Sequence, residues 1–420
     1  MTILLKEVLI TDIESKFNNL VKDVYINNGI IVKIDTAISN EADIVLNEPN
    51  TIVSSGWVDI FANFNDPGFE HKETLETGAV AAISGGFATV FTLPNTKPTV
   101  CTQSQISYIV EKSKSLPINI YPLGAISKKI EGNELAEMYE MRNSGAIAFS
   151  DGLNAVQSAS LFTKALQYVK AFNGILIQMP IDNGFSKLGL MNEGITSTKL
   201  GLPGIPAFAE ILMIKRDIEL LRYTESKLHI TGVSTIEGIE LINEAKQEGL
   251  QISCSITPYH LFFCDEDLTT YDTNLKTNPP LRTKENMLAL HQAVLAGKID
   301  CIASHHFPQH SDDKICEFEY AKNGMIGLQT LFATINDILP QLPTSDLVNL
   351  LSKNASNIFG LPTNKIEEGS IASLTLFNRN ETSILTTTNN KSKSINTPFL
   401  NKPLKGKVVG VVNKGKLFLN

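Results

Sequence analysis

The chain is poor in the features that mark several classes of protein. Cysteine is scarce: Cys101, Cys254, Cys264, Cys301 and Cys316 are the five present, their number is odd, and none forms a C-x-x-C pair. That argues against a disulfide framework and predicts reduced thiols scattered through a core. Basic residues are not in excess, with 36 Lys and Arg against 44 Asp and Glu and a net charge of -8. Such a balance disfavours nucleic acid or an anionic membrane as partner. No apolar run reaches the ~18–20 residues of a membrane span. The opening MTILLKEVLITDIESK meets Lys6 and Glu7 before an apolar stretch can develop, so no signal peptide is expected and the reading is a soluble, cytoplasmic protein. Repeats and long low-complexity segments are absent too.

What is present points to a large ordered core, since 43% of residues are hydrophobic and only 19% charged. Both ends read as strands: Ile3–Ile10, Val24–Ile26 and Ile30–Ile34 at the start, and Ser373–Phe377, Lys407–Val412 and Lys416–Leu419 at the finish. Asn27-Asn28-Gly29 supplies a hairpin turn between the second and third. The polar stretch Asn378–Asn396 reads as a surface excursion.

The middle alternates. Short apolar, β-branched runs occur at Ile52–Phe61, Phe87–Leu93, Ile118–Ala125, Ala146–Phe149, Ile175–Met179, Leu228–Thr231, Gln251–Ile256 and Ile299–Ala303. Helical stretches separate them, among them Leu75–Ser84, Ala155–Ala171, Ala207–Tyr223, Thr235–Glu248 and Lys284–Ala296. Buried parallel strands read as continuous apolar runs, with helices returning the chain between them. The pattern predicts an α/β fold, a (β/α)8 TIM-type barrel over residues 54–365, with a doubly wound sheet as the structural alternative. Residues 1–53 and 366–420 would then pair as a small composite β domain.

Barrel chemistry sits at the C-terminal ends of the strands. Most residues just beyond the runs, such as Pro94-Asn95-Thr96 and Ser150-Asp151-Gly152, are equally ordinary turn material. The eighth run is different: His305, His306 and His310, three of the seven histidines, fall within six residues. His305 and His306 are adjacent, so a strand end would point them to opposite sides.

The residues then match a family. Gly56-Trp57-Val58-Asp59 through Asp66-Pro67-Gly68, with Glu70-His71-Lys72-Glu73, resembles the dihydroorotase signature. So do Gly85-Gly86-Phe87, Pro94-Asn95-Thr96-Lys97-Pro98 and Ala148-Phe149-Ser150-Asp151-Gly152. The resemblance continues through Asn192-Glu193-Gly194, Arg216-Asp217, His229, Val233-Ser234-Thr235 and Pro258-Tyr259-His260-Leu261. It runs on through Asn278-Pro279-Pro280-Leu281-Arg282 and Gly324–Thr330 to Lys405–Val408, in order, over essentially the whole chain. This similarity to the dihydroorotases, members of the cyclic amidohydrolase superfamily, implies a metal-dependent barrel with the chain ends forming a small β-sandwich.

The departures from that pattern bear on chemistry. Where the resemblance implies two zinc-binding histidines on the first strand, this chain has Phe61 and Asn63, and where it implies a substrate-clamping arginine it has Asn65. The histidine after strand five falls near Gln178–Pro180, where there is none; the one before Val-Ser-Thr is Gly232. The catalytic aspartate position is His305, and the last histidine of the same motif is Gln309. Asp151 is retained as a ligating or bridging carboxylate, and Asn95, Asn278 and His260 as ligand contacts.

A catalytic zinc would polarise the carbonyl and lower the pKa of its bound water from about 15.7 to roughly 7. Phenylalanine and glycine offer it no donor, and neutral amides are poor ligands beside imidazole. The sequence therefore predicts a non-catalytic dihydroorotase homologue without a zinc cofactor, of pyrimidine-biosynthesis ancestry. Inactive homologues of this kind are partners of aspartate transcarbamoylase, which the resemblance extends here as an expectation beside self-association. The alternative is an active dihydroorotase or related cyclic-amide hydrolase, with zinc, rebuilt around His305, His306, His310 and Asp151. A third reading is a small-molecule sensor using the vacant barrel mouth.

Overall fold

A computed structural model of the chain describes residues 1–362 and 365–420. Five strands come first: β1 (Thr2–Ile10), β2 (Val21–Asn27), β3 (Ile30–Asp35), β4 (Ile44–Leu46) and β5 (Ile52–Ser55). The β2–β3 turn is the expected one. Asn28 and Gly29 both have positive φ, at 48° and 79°, which suits an asparagine–glycine pair. The middle of the chain supplies β6 (Trp57–Ala62), β7 (Phe87–Thr92), β8 (Asn119–Pro122) and β9 (Leu176–Gln178). Two-residue strands β10 (Met191–Asn192) and β11 (Gly204–Ile205) pair only with each other. Then come β12 (Leu228–Thr231), β13 (Ile252–Ile256) and β14 (Cys301–Ile302), and finally β15 (Leu374–Ile384), β16 (Pro403–Asn413) and β17 (Lys416–Leu419).

The two ends of the chain meet in one eight-stranded sheet, in the order β17-β16-β15-β5-β1-β2-β3 with β4 on β1. It has its own apolar core, including Ile3, Leu5, Val24, Ile366, Leu374 and Val412. The barrel wall consists of two parallel ladders, β6-β7-β8 and β9-β12-β13-β14. Between them the predicted strand at Ala146–Phe149 makes only isolated bridges, Phe149 with Gly124 and with Leu176. A parallel bridge between Ala62 and His306 closes the ring. Eight staves in a closed circuit are a (β/α)8 barrel, and the open doubly wound sheet is excluded.

Two sequence readings are corrected. The run Ile52–Phe61 is two strands in different sheets, divided at Gly56, so the expected boundary between residues 53 and 54 falls inside β5. Only glycine fits at 56, because a Cβ there would lie 2.6 Å from the Ala88 Cβ and 2.7 Å from the Ser373 Oγ. The stretch Asn378–Asn396 is not simply a surface excursion. Its first part extends β15, and its second part returns to the barrel with Ser392, Ser394 and Asn396 buried. Ser392 donates to the buried carboxylate of Glu73, and Ser394 Oγ donates to Lys72 O at 2.8 Å. Polar composition suggests exposure, but hydrogen bonding to buried groups satisfies the same side chains inside.

Two contacts hold the barrel to its mouth. Asp59 on β6 accepts hydrogen bonds from the Ser304 backbone N–H at 2.7 Å and the Ser304 hydroxyl at 2.6 Å. Burial pushes this carboxyl up and the Ser304 bonds oppose it. The pair fixes the end of the last stave against the first, immediately before His305. Trp57, fully buried, joins barrel to sheet, its ring 5.1 Å from Phe332 and 5.2 Å from Phe377 between centroids. Truncating so large a buried side chain leaves a cavity worth about 3–5 kcal/mol. Trp57→Ala is expected to lose stability in that range, measured as a lower urea midpoint, and a loss under about 1 kcal/mol would show that the joint is not structural.

Candidate functional site

The barrel mouth opens into a cavity of about 500 Å³. Phe61, Leu93, Tyr259 and Phe307 supply apolar walls, and Asn278, His305 and Asn323 supply polar atoms. Lys187, Lys276 and Lys322 also line it, and no carboxylate does among the described residues.

His305 sits in the centre of the altered positions. It is 6% exposed and has a positive φ of 44°. Its ring packs on Phe61 with centroids 4.4 Å apart and planes tilted by 32°. Behind it is Gly232, where an added Cβ would lie 2.6 Å from the His305 Cε1. The ring therefore occupies space that any side chain at 232 would need. Its Nε2 lies 2.8 Å from the Thr231 hydroxyl. Burial is the main cause of its pKa falling to about 3, so the ring is neutral at pH 7. His306 points the other way, as adjacency predicts. Its Nδ1 accepts from Gly327 N–H at 3.2 Å, and its Nε2 faces Glu73 at 3.4 Å.

The remaining positions are engaged in holding the fold. Asn63 is buried and its Oδ1 accepts from the Asn65 N–H at 2.9 Å. Asn65 turns its own amide toward the Pro308 carbonyl at 3.4 Å. Gln178 spans Val156 and Asp217, accepting at 3.2 Å and donating at 3.3 Å. Gln309 accepts from Lys72 Nζ at 2.6 Å.

Three expected site residues make hydrogen bonds within the protein. Asp151, read as a possible metal ligand, accepts from the backbone N–H groups of Ile126 and Ser127, both at 2.9 Å, and from the Ser127 hydroxyl. Both its oxygens thus secure the loop after β8; burial raises its pKa to about 6 against those bonds. Asn95 is tied to the turn after Asp151: its Nδ2 donates to Asp151 O at 3.3 Å and its Oδ1 accepts from Leu153 N–H at 3.2 Å. His260 does not line the cavity. Its Nδ1 meets the Thr257 hydroxyl at 2.8 Å, and its Nε2 meets the carbonyls of Pro279 and Pro280, each at 3.2 Å. Among the expected contacts, Asn278 and His305 line the cavity, and the Asn278 Oδ1 is buried with no hydrogen-bond partner.

The histidine cluster does not converge. His310 caps a turn at the surface, and its ring lies 6.0 Å from that of His71, beside a second cavity of about 540 Å³. Among the described residues no group of three or more His, Cys, Asp or Glu side chains is placed to hold a metal ion. The donor set at the mouth is the neutral imidazole of His305, a second imidazole at His306 bonded to Gly327 and facing Glu73, amides of which the Asn278 Oδ1 is buried without a partner among the described residues, a phenyl ring, and a glycine whose space the His305 ring fills. These residues do not fit a catalytic zinc, which takes three protein ligands with an open position.

Sequence reasoning misses the lysines. Lys276 lies two residues before Asn278, and its Nζ donates to the carbonyls of Phe318 and Glu319 at 2.7 and 2.9 Å. Burial pushes its amine below the ordinary lysine range. No local pattern distinguishes Lys187, Lys276 or Lys322 from surface lysines, because the loops that bring them together are far apart in sequence. Tyr259 stands beside His260 in Pro258-Tyr259-His260-Leu261, and it is the tyrosine rather than the histidine that reaches the cavity.

The barrel and the sheet built from both chain ends define the class of the protein as a (β/α)8 barrel with a composite β domain. In overall fold the chain is similar to an L-hydantoinase (dihydropyrimidinase) from Arthrobacter aurescens, with a TM-score of 0.87 and 20% identity over 100% of this chain and 96% of that one. A dihydropyrimidinase from Brevibacillus agri gives 0.83 and 18% over 100% and 95%. The Dihydro-orotase-like family profile matches residues 50–238. Proteins named dihydroorotase are much nearer in sequence. That of Acetivibrio thermocellus is 38% identical over 405 residues, 95% of each chain, and that of Carboxydothermus hydrogenoformans is 40% identical over 397, 94% of this chain and 92% of that one. The chain belongs to the dihydroorotase family. Among the described residues no helix is long and apolar enough to cross a membrane.

The buried imidazoles make stability depend on pH. His229, His260 and His305 all have a pKa of about 3, burial being the main cause. In the unfolded chain each regains a value near 6.5 and takes up a proton that the folded state refuses, so stability falls as pH drops below that value. Asp151 and Asp217, both raised to about 6 by burial, work in reverse as pH falls through about 6, by holding protons the unfolded chain releases. Lys314, its amine lowered to about 7 by burial, adds to the loss, because the unfolded chain holds that proton throughout. The net loss between pH 7.5 and pH 6 is expected to be about 2.4 kcal/mol. Urea midpoints at the two pH values measure it; a midpoint that rises on acidification would contradict neutral burial of the three rings.

Proposed function

We propose that this chain is a dihydroorotase-family protein of pyrimidine biosynthesis that does not hydrolyse dihydroorotate through a metal-bound hydroxide. One observation carries the reading: His305 packs between Phe61 and Gly232, in the space where the family resemblance would put metal ligands. Without a metal, a neutral imidazole has no activated water to work on. The shape and polarity of the cavity support retained binding of a small molecule, and the role left to the barrel is that of a binding or assembly partner. Aspartate transcarbamoylase is the partner the family resemblance suggests. Self-association is the other arrangement we consider.

A second reading has its own support. The relatives from Acetivibrio thermocellus and Carboxydothermus hydrogenoformans are named dihydroorotase and align along nearly the whole chain. On this reading the chain interconverts carbamoyl aspartate and dihydroorotate, or opens a related cyclic amide, at a rearranged site with zinc. His305 and Asn278 are the residues then at the reacting centre.

One sample separates the two. Purified protein, supplied with zinc during expression, is expected to carry well under one zinc per chain and to show no dihydroorotate turnover above background. Stoichiometric zinc together with turnover that is lost in His305→Ala would overturn the non-catalytic reading and establish the second.

A further inference from the structure

A continuous string of hydrogen bonds runs from the cavity down the inside of the barrel. His305 Nε2 meets the Thr231 hydroxyl at 2.8 Å, and that hydroxyl meets Ser255 Oγ at 2.8 Å. Ser255 Oγ meets His229 Nε2 at 3.0 Å, and His229 Nδ1 meets Ser253 Oγ at 2.8 Å. The five groups come from β12, β13 and the residues just past β14, and all are buried. His229 lies in the barrel wall, at 0% exposure.

The hydrogens can be counted. Each hydroxyl has one, and each neutral imidazole has one, its neutrality enforced by burial at both rings. Five hydrogens serve four bonds, so one is left over at an end of the string. If every group donates toward His229 and Ser253, the surplus hydrogen is on Ser253, which is buried and has no other partner among the described residues. If every group donates the other way, Ser253 donates to His229 Nδ1, His229 Nε2–H to Ser255, Ser255 to Thr231, and Thr231 to His305 Nε2. The surplus hydrogen is then on His305 Nδ1, in a side chain whose residue lines the cavity. A buried unpaired donor costs about 1–3 kcal/mol, whereas one at the cavity can meet water or a ligand. The second direction is therefore the stable one.

We propose that His305 presents a neutral Nδ1–H donor to the cavity, held in that tautomer by the string running to His229, and that it selects small anions offering a carboxylate or carbonyl oxygen at that point. His305 is the specificity-determining residue; Thr231, Ser255 and His229 position it. Lys187 in the lining, the cation of Lys276 held there by two backbone carbonyls, and the absence of lining carboxylates among the described residues give the anion its complementary surroundings, while Lys322 is paired with Asp313 at 2.8 Å. The proposal rests on the reading that no metal occupies the mouth.

Nitrogen-15 NMR of the labelled full chain tests it, on a sample whose zinc content is measured first. His305 and His229 are assigned from His305→Gln and His229→Gln. Long-range proton–nitrogen correlations are expected to show His305 protonated at Nδ1 and His229 at Nε2. Succinate, an acceptor-only dianion, is expected to shift the His305 Nδ1 signal. Thr231→Val should mix the His305 tautomers and weaken succinate by about tenfold, and Thr231→Ser, which keeps the hydroxyl, should restore both. A metal-free sample with His305 protonated at Nε2, or with no response to succinate, overturns this proposal alone. Stoichiometric zinc on the same sample overturns the reading beneath it. Should Thr231→Val fail to fold, the spectrum of the unaltered protein still decides.

Discussion

The barrel mouth depends on one steric exchange. An imidazole at 305 needs the space that a side chain at 232 would take, and Gly232 is the residue that leaves it. Its φ of +70° suits glycine as well, so two constraints meet at one position. Relative to the family pattern, an imidazole has left position 232 and one has arrived at position 305. The two changes fit each other physically, and together with Phe61 they fill the mouth with a packed ring.

Around this ring, residues that the resemblance marks for chemistry serve as architecture. Asp151 secures the loop after β8, Asn95 secures the turn after Asp151, and His260 braces the carbonyls of Pro279 and Pro280. Asp151 and His260 are buried and Asn95 half-buried, and each finds its hydrogen-bond partners inside the protein, the usual condition for such groups. Asp59 does the same at the closure of the barrel through Ser304. The mouth is thus firmly braced, and its cavity is bordered by apolar walls and lysines.

Much of the fold is legible because periodicity is local. Leu75–Ser84 can be read to the residue, and Leu228–Thr231 likewise, since caps and β-branched runs announce themselves within a few positions. The break at Gly56 escapes such a reading because a continuous apolar run hides a change of sheet: both halves are buried, and only the neighbours Ala88 and Ser373 reveal it. Ala146–Phe149 contributes a stave without a ladder, which no apolar count can foresee. Ser392 and Ser394 look exposed in the sequence because their buried partners, Glu73 and the Lys72 carbonyl, lie more than 300 residues away.

By itself the sequence determined the family, the alternation that builds a barrel, and the absence of imidazole at Phe61, Asn63 and Gly232, where the resemblance implies metal ligands. These are properties of residue type and order, and they are fixed before the chain folds. Tertiary structure alone decided which retained polar residues face the cavity, because a side chain's direction depends on the bonds competing for it. It also brought Lys187, Lys276 and Lys322 to one opening, and aligned five groups from separate staves into one string. Those arrangements arise only when distant segments come within hydrogen-bond reach, a distance that no local pattern encodes.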